Sequence, residues 1–98
     1  MHAVVNKLPL CKPIDESLVE SMLQGIGARM CESPDFVSVH LVSVSDDEAI
    51  FVVMFKTREA LDDLSKNVAG PWFAEHFRPY LSGPVQRSVG EVVAHIEN

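Results

Sequence analysis

An antiparallel β-sheet with helices on one face, built in the order β-α-β-β-α-β, is the α+β fold that this 98-residue sequence predicts. Three observations carry it. Leu18, Met22 and Ile26 recur at i, i+4 and i+8 within residues 14–31, the spacing of one helical face. Residues 35–44 and 48–56 are two runs rich in β-branched and aromatic residues around Ser45-Asp46-Asp47, a short polar turn, and so read as a hairpin. Strand-like segments open and close the chain.

The first strand covers residues 2–9, HAVVNKLP. Val4 and Leu8 alternate with Val5, and Asn6 shares the face of Val4. Pro13 ends this region and can open a helix. In the helix over 14–31, Val19, Leu23 and Met30 lie beside the main stripe. Asp15, Glu16 and Glu20 sit at the end that favours anions, and Arg29 at the end that favours cations. Gly25 and Gly27 each cost about 1 kcal/mol relative to Ala, which predicts close packing at that turn. Ser33-Pro34 stops the helix.

On the second strand Phe36 and Val42 share a face with Ser38 and His40, and Val37, Val39 and Leu41 take the other. The third strand is apolar on both faces: Ala49, Phe51, Val53 and Phe55 on one, Ile50, Val52 and Met54 on the other. Thr57 can cap a short helix to about Asn67, with Ala60, Leu61 and Leu64 inward. Gly70-Pro71 then punctuates, so the second helical region is expected in two pieces, closed by Pro79 and Gly83-Pro84. Residues 85–96 read as a last strand. Its apolar side switches near Gly90, from Val85 and Val89 to Val92, Ala94 and Ile96, which predicts a bulge.

This order is the ferredoxin-like split βαβ plan, in one domain spanning residues 1–98. The sheet face without helices should be polar, yet the hairpin is apolar on both sides. A second copy of the chain is the simplest cover, and a chain this short gains from one. The net charge is −6 and the eight basic residues are scattered singly, against nucleic-acid binding. No apolar run approaches the roughly 20 residues of a membrane span, and no signal-like segment opens the sequence, so the cytosol is the expected compartment. Cys11 and Cys31 flank the first helix, roughly 25 Å apart by helical rise, and are expected as reduced thiols. No phosphate-binding loop, dinucleotide fingerprint or metal-ligand cluster is present.

The hairpin ending AIFVVMFKTREAL, the segment GPWFAEHFRPYLSGPV and the closing RSVGEVV resemble the antibiotic-biosynthesis monooxygenase type of dimeric α+β barrel, over essentially the whole chain. The resemblance implies a homodimer with sheets packed face to face and a cavity between sheet and helices in each subunit. One branch of that family oxidises polycyclic aromatic phenols to quinones without a cofactor. Another degrades haem, and a third includes quinol oxidation and signal-molecule turnover. The haem-degrading branch uses an Asn on the first strand, a Trp just before a Gly-Pro and a His five residues after that Pro. Asn6 and His76 match, but residues 65–69 contain no Trp, and Trp72 follows the Gly-Pro instead.

The resemblance makes Asn6 and His76 the catalytic candidates: His76 as general base, or as iron ligand if haem binds, and Asn6 as the group holding a substrate oxygen. Trp72, His76 and Tyr80 fall at i, i+4 and i+8, with Phe73 and Phe77 as an adjacent stripe. Trp72, Tyr80, Phe73 and His40 are the candidate substrate contacts, although an aromatic stripe also fits a core or an interface. Arg87 and Glu91 share a face of the last strand, where they could pair across a dimer or Arg87 could bind an anionic oxygen. The expected function is oxidation of a small phenol or quinol by dioxygen without a cofactor. The alternatives are a haem-degrading monooxygenase and a non-catalytic dimeric stress-response or binding module.

Overall fold

In the computed structural model, which describes residues 1–97, four strands form one antiparallel sheet in the order β2-β3-β1-β4. β1 is His2–Pro9, β2 Phe36–Ser45, β3 Glu48–Phe55 and β4 Gln86–Glu91. Helix α1 winds through Glu16–Ser21, a wider π-type stretch Met22–Gly27, and Ala28–Met30. Asp15 caps it, accepting a hydrogen bond from the Leu18 N–H at 2.9 Å. Helix α2 follows β3 over Arg58–His76, with Thr57 as its N-cap and Phe77 as its C-cap.

Both helices lie on one face of the sheet. Strand alternation sends Val4, Leu8, Phe51, Val53 and Phe55 to that face, where they meet Leu18, Met22, Ile26 and Met30 of α1 and Leu61, Leu64 and Phe77 of α2. The helical spacing read from the sequence is therefore the buried stripe of α1, while Leu23 beside it is 61 % exposed. On the opposite sheet face Ile50, Val52 and Met54 are half-buried, and Val5 and Val42 are exposed.

The structure departs from the expected elements at three places. The second helical region is not broken at Gly70-Pro71. Arg58–Leu64, a π-type turn Ser65–Ala69 and Gly70–His76 are contiguous, and a 3₁₀ turn Arg78–Tyr80 follows. Pro71 has no N–H to give the ladder, and the wider turn absorbs it, with the Gly70 N–H reaching back to the Ser65 carbonyl. A Cβ on Gly70 would lie 2.7 Å from that oxygen, so the turn needs glycine there.

On β2, the register to β3 slips between Phe36 and Ser38. Phe36 therefore leaves the face of Ser38 and His40 and joins the core, edge-on to Phe55 at 5.7 Å. The last strand stops at Glu91 rather than Ile96, and its pairing to β1 is regular through Gly90. The Val92 N–H bonds to the Met1 carbonyl, the last backbone bond of this pairing among the described residues.

Tyr80 ties the end of α2 to the start of α1. Its hydroxyl donates to the Asp15 carboxylate at 2.8 Å, and the Lys12 ammonium lies 4.3 Å from its ring centre. The Leu18 N–H, then the Tyr80 hydroxyl, hold the Asp15 carboxyl below its ordinary range. Burial, then the Asp15 hydrogen bond, push the Tyr80 phenol up. A depressed carboxylate pKa adds stability above the unfolded value, and that stability is lost as pH falls through the folded value. Thermal unfolding at pH 7 and at successive steps below about pH 4 should show Tyr80→Phe less acid-sensitive than the wild type. Equal acid sensitivity would remove the role given to this contact.

Candidate active site

A cavity of about 340 Å³ opens between the sheet and α2, within the size range of small-molecule sites. Val4 and Asn6 of β1, Phe51 and Val53 of β3 and Arg87 of β4 line its sheet side. Ser65, Ala69, Gly70 and Phe73 of α2 line the other. The π-type turn thus forms part of the wall, a placement frequent for such turns at functional sites.

Asn6 is the polar interruption of an apolar face. Its Nδ2 donates to the carbonyl of Phe51, its direct partner on β3, at 3.3 Å. Its Oδ1 makes no hydrogen bond among the described residues and is not buried. On the other side Asn6 pairs in register with Arg87. Directly opposed residues on neighbouring strands share a face, with Cβ atoms about 4.5–5.5 Å apart, so amide and guanidinium stem enter the same cavity. Arg87 is exposed, which sets it toward the opening, and no carboxylate lies within salt-bridge distance of it among the described residues.

Phe73 lines the cavity and stacks on the fully buried Phe77 at 4.4 Å. Both rings lie 6.0 Å from Phe51. Phe73 was the aromatic residue expected to contact substrate that does reach the cavity.

The other sequence candidates lie elsewhere. His76 does not face Asn6. Its ring stacks on Trp72 at 4.6 Å, and its Nδ1 is 3.0 Å from the Trp72 carbonyl, the geometry of an Nδ1–H donor. Trp72 turns toward α1, where a Cβ on Gly25 would lie 3.0 Å from the indole Nε1. The close packing predicted at Gly25 is thus packing on Trp72. Tyr80 is in the Asp15 contact, and His40 is exposed on the sheet face away from the helices.

One physical cause redirects the aromatic residues. A regular helix carrying Leu61, Leu64 and Val68 inward would next bring Trp72 and His76 over the sheet. The π-type turn inserts one residue, a rotation of about 100°, so Phe73 and Phe77 take those places. Arg87 is the cavity residue that the sequence left between two roles; its alternation with Val85 and Val89 was the available signal.

The haem-degrading branch would need an axial ligand here. The cavity lining contains no His, Cys, Met or Tyr, and His76, the ligand the resemblance implied, is turned away. These residues do not fit a haem.

No family model matches the chain, and no curated protein does. Solved structures do. SnoaB, a cofactor-independent oxygenase from Streptomyces nogalater, superposes with a TM-score of 0.71 at 13 % identity, over 99 % of this chain and 97 % of its own. The monooxygenase from ActVA-Orf6 of Streptomyces coelicolor, in complex with nanaomycin D, gives 0.69 at 21 % identity, over 99 % and 91 %. An MhuD variant with two manganese protoporphyrin IX bound per active site gives 0.67 at 16 % identity, over 100 % of both chains. The fold is the one these proteins share, as the resemblance implied; at such identities the likeness is one of fold. No helix among the described residues is long and apolar enough to cross a membrane.

Proposed function

We propose, for a chain that folds as these oxygenases do, that it oxidises a small aromatic phenol or quinol with dioxygen and without a cofactor. The observation that carries this reading is the cavity itself, which is apolar apart from Asn6, Ser65 and Arg87 and large enough for a planar ring system. The substrate enters as its anion, its proton left to solvent, and the Asn6 Nδ2 hydrogen not given to Phe51 donates to the ring oxygen. Phe51 and Phe73 supply apolar surface for the ring. Electrons come from the substrate: a phenol C–H becomes C=O, one oxygen atom of dioxygen enters the product, and the other leaves as water with the two hydrogens lost. The protein contributes orientation and removal of bulk water. The reading assigns no proton transfer to His76.

The working unit in this proposal is a homodimer joined through the sheet face that bears Val5, Val42, Val52 and Met54. Sedimentation should then return twice the chain mass.

The test is incubation with a panel of naphthols under isotopically labelled dioxygen. Quinone product carrying one labelled oxygen, in protein freed of metals and flavins, supports the reading. No oxygen uptake across the panel removes it and leaves a binding module. The metalloporphyrin-bound neighbour favours a haem-binding reading, which the cavity lining opposes. A haem titration should therefore give no Soret shift that depends on His76; a shift abolished by His76→Ala restores the haem reading.

A further inference from the structure

We infer that Asn6 and Arg87 together select a planar aromatic ligand carrying an ionised oxygen beside a hydroxyl group. The inference rests on the proposed function for the location of the site and goes further by naming the substituents. Phe51 decides the orientation of the Asn6 amide. The atom 3.3 Å from a carbonyl oxygen must be the N–H-bearing Nδ2, since Oδ1 there would set two acceptors against each other. Oδ1 therefore remains as a free acceptor, able to take a hydrogen bond from a ligand hydroxyl.

Arg87 supplies the opposite half. A guanidinium has donors and no acceptor, and it grips an oxyanion through two parallel N–H groups. It is the one charged residue lining the cavity, and its positive charge has no carboxylate partner among the described residues. In a chain of net charge −6 an anionic ligand gains little from the overall field, so its attraction must be local to Arg87. The register pairing sets the two residues side by side, one strand spacing apart at the backbone, and both line the cavity. A hydroxyl and an oxyanion on neighbouring positions of one ring system can meet them together. A neutral hydrocarbon would leave both unpaired, and a ring with only one of the groups would satisfy only one.

The test is binding under anaerobic conditions, so that turnover does not enter. The probes are 1-hydroxy-2-naphthoate, 2-naphthoate and 2-naphthol, each titrated by calorimetry. The wild type should bind the hydroxy acid at least about tenfold more tightly than either of the others. Arg87→Gln should remove the advantage of the two carboxylates over 2-naphthol, and Arg87→Lys should restore part of it. Asn6→Ala should bring the hydroxy acid down to the level of 2-naphthoate. Equal binding of all three probes by the wild type overturns the inference, as does an Arg87→Gln protein that keeps the carboxylate preference. Selective binding without oxygen uptake would sustain this inference while removing the monooxygenase reading; oxygen uptake with binding indifferent to Arg87 would do the reverse.

Discussion

Phe77→Ala should lower stability by about 3–5 kcal/mol, the usual cost of emptying a buried phenylalanine site. Phe77 is fully buried. It stacks on Phe73, meets Trp72 edge-on at 5.6 Å and reaches Phe51. Removing the ring therefore opens a void between α2 and β3 that three other aromatic rings would have to fill by shifting. Against a total stability of about 5–15 kcal/mol for a domain, this is a large fraction. Denaturant unfolding of wild type, Phe77→Ala and Phe77→Leu provides the comparison, with Leu expected to recover most of the loss. A Phe77→Ala loss below about 1 kcal/mol would show that the stack is not what secures α2 to the sheet. Because Phe73 rests on Phe77, ligand affinity should fall in the same variant even where it remains folded.

The second large effect concerns turnover. On a substrate accepted in the labelled-dioxygen assay, Asn6→Ala should reduce kcat/KM by about 10²-fold, the scale of a misplaced substrate. His76→Ala should stay within about threefold of wild type, since its ring is held on Trp72 outside the cavity. Circular dichroism separates loss of fold from loss of activity. The Phe51 carbonyl has a second lone pair for the sheet ladder, so losing the Asn6 bond leaves no buried group without a partner. The opposite ranking, with His76 essential and Asn6 dispensable, would overturn the assignment of the site.

Much of the architecture was legible beforehand. Two-residue alternation placed Asn6 beside Val4 and Leu8, and pairing within the sheet makes such a face unambiguous. Leu18, Met22 and Ile26 are the buried face of α1 because their helical spacing leaves little choice, whereas Met30, read as lying beside that stripe, is fully buried with it. The doubly apolar β3 likewise announced a core on one side and a second apolar face on the other.

Two things depended on the assembled chain. Phe36 changes face because β2 slips one residue against β3, and a slip belongs to the pairing of two strands rather than to either one. The aromatic segment at 70–80 depended on the π-type turn before it. Gly70-Pro71 signalled a disturbance, yet a helix break and a one-residue bulge satisfy the missing Pro71 N–H equally well at the level of sequence. Packing selects the bulge: it lays Phe73 and Phe77 against Phe51 and lets Trp72 meet Gly25 of α1. The sequence by itself determined the order of strands and helices and that Asn6 shares the inward face of Val4, because both follow from local periodicity. Which aromatic ring borders the cavity was decided only in the tertiary structure, because one inserted residue turns the rest of the helix by about 100°.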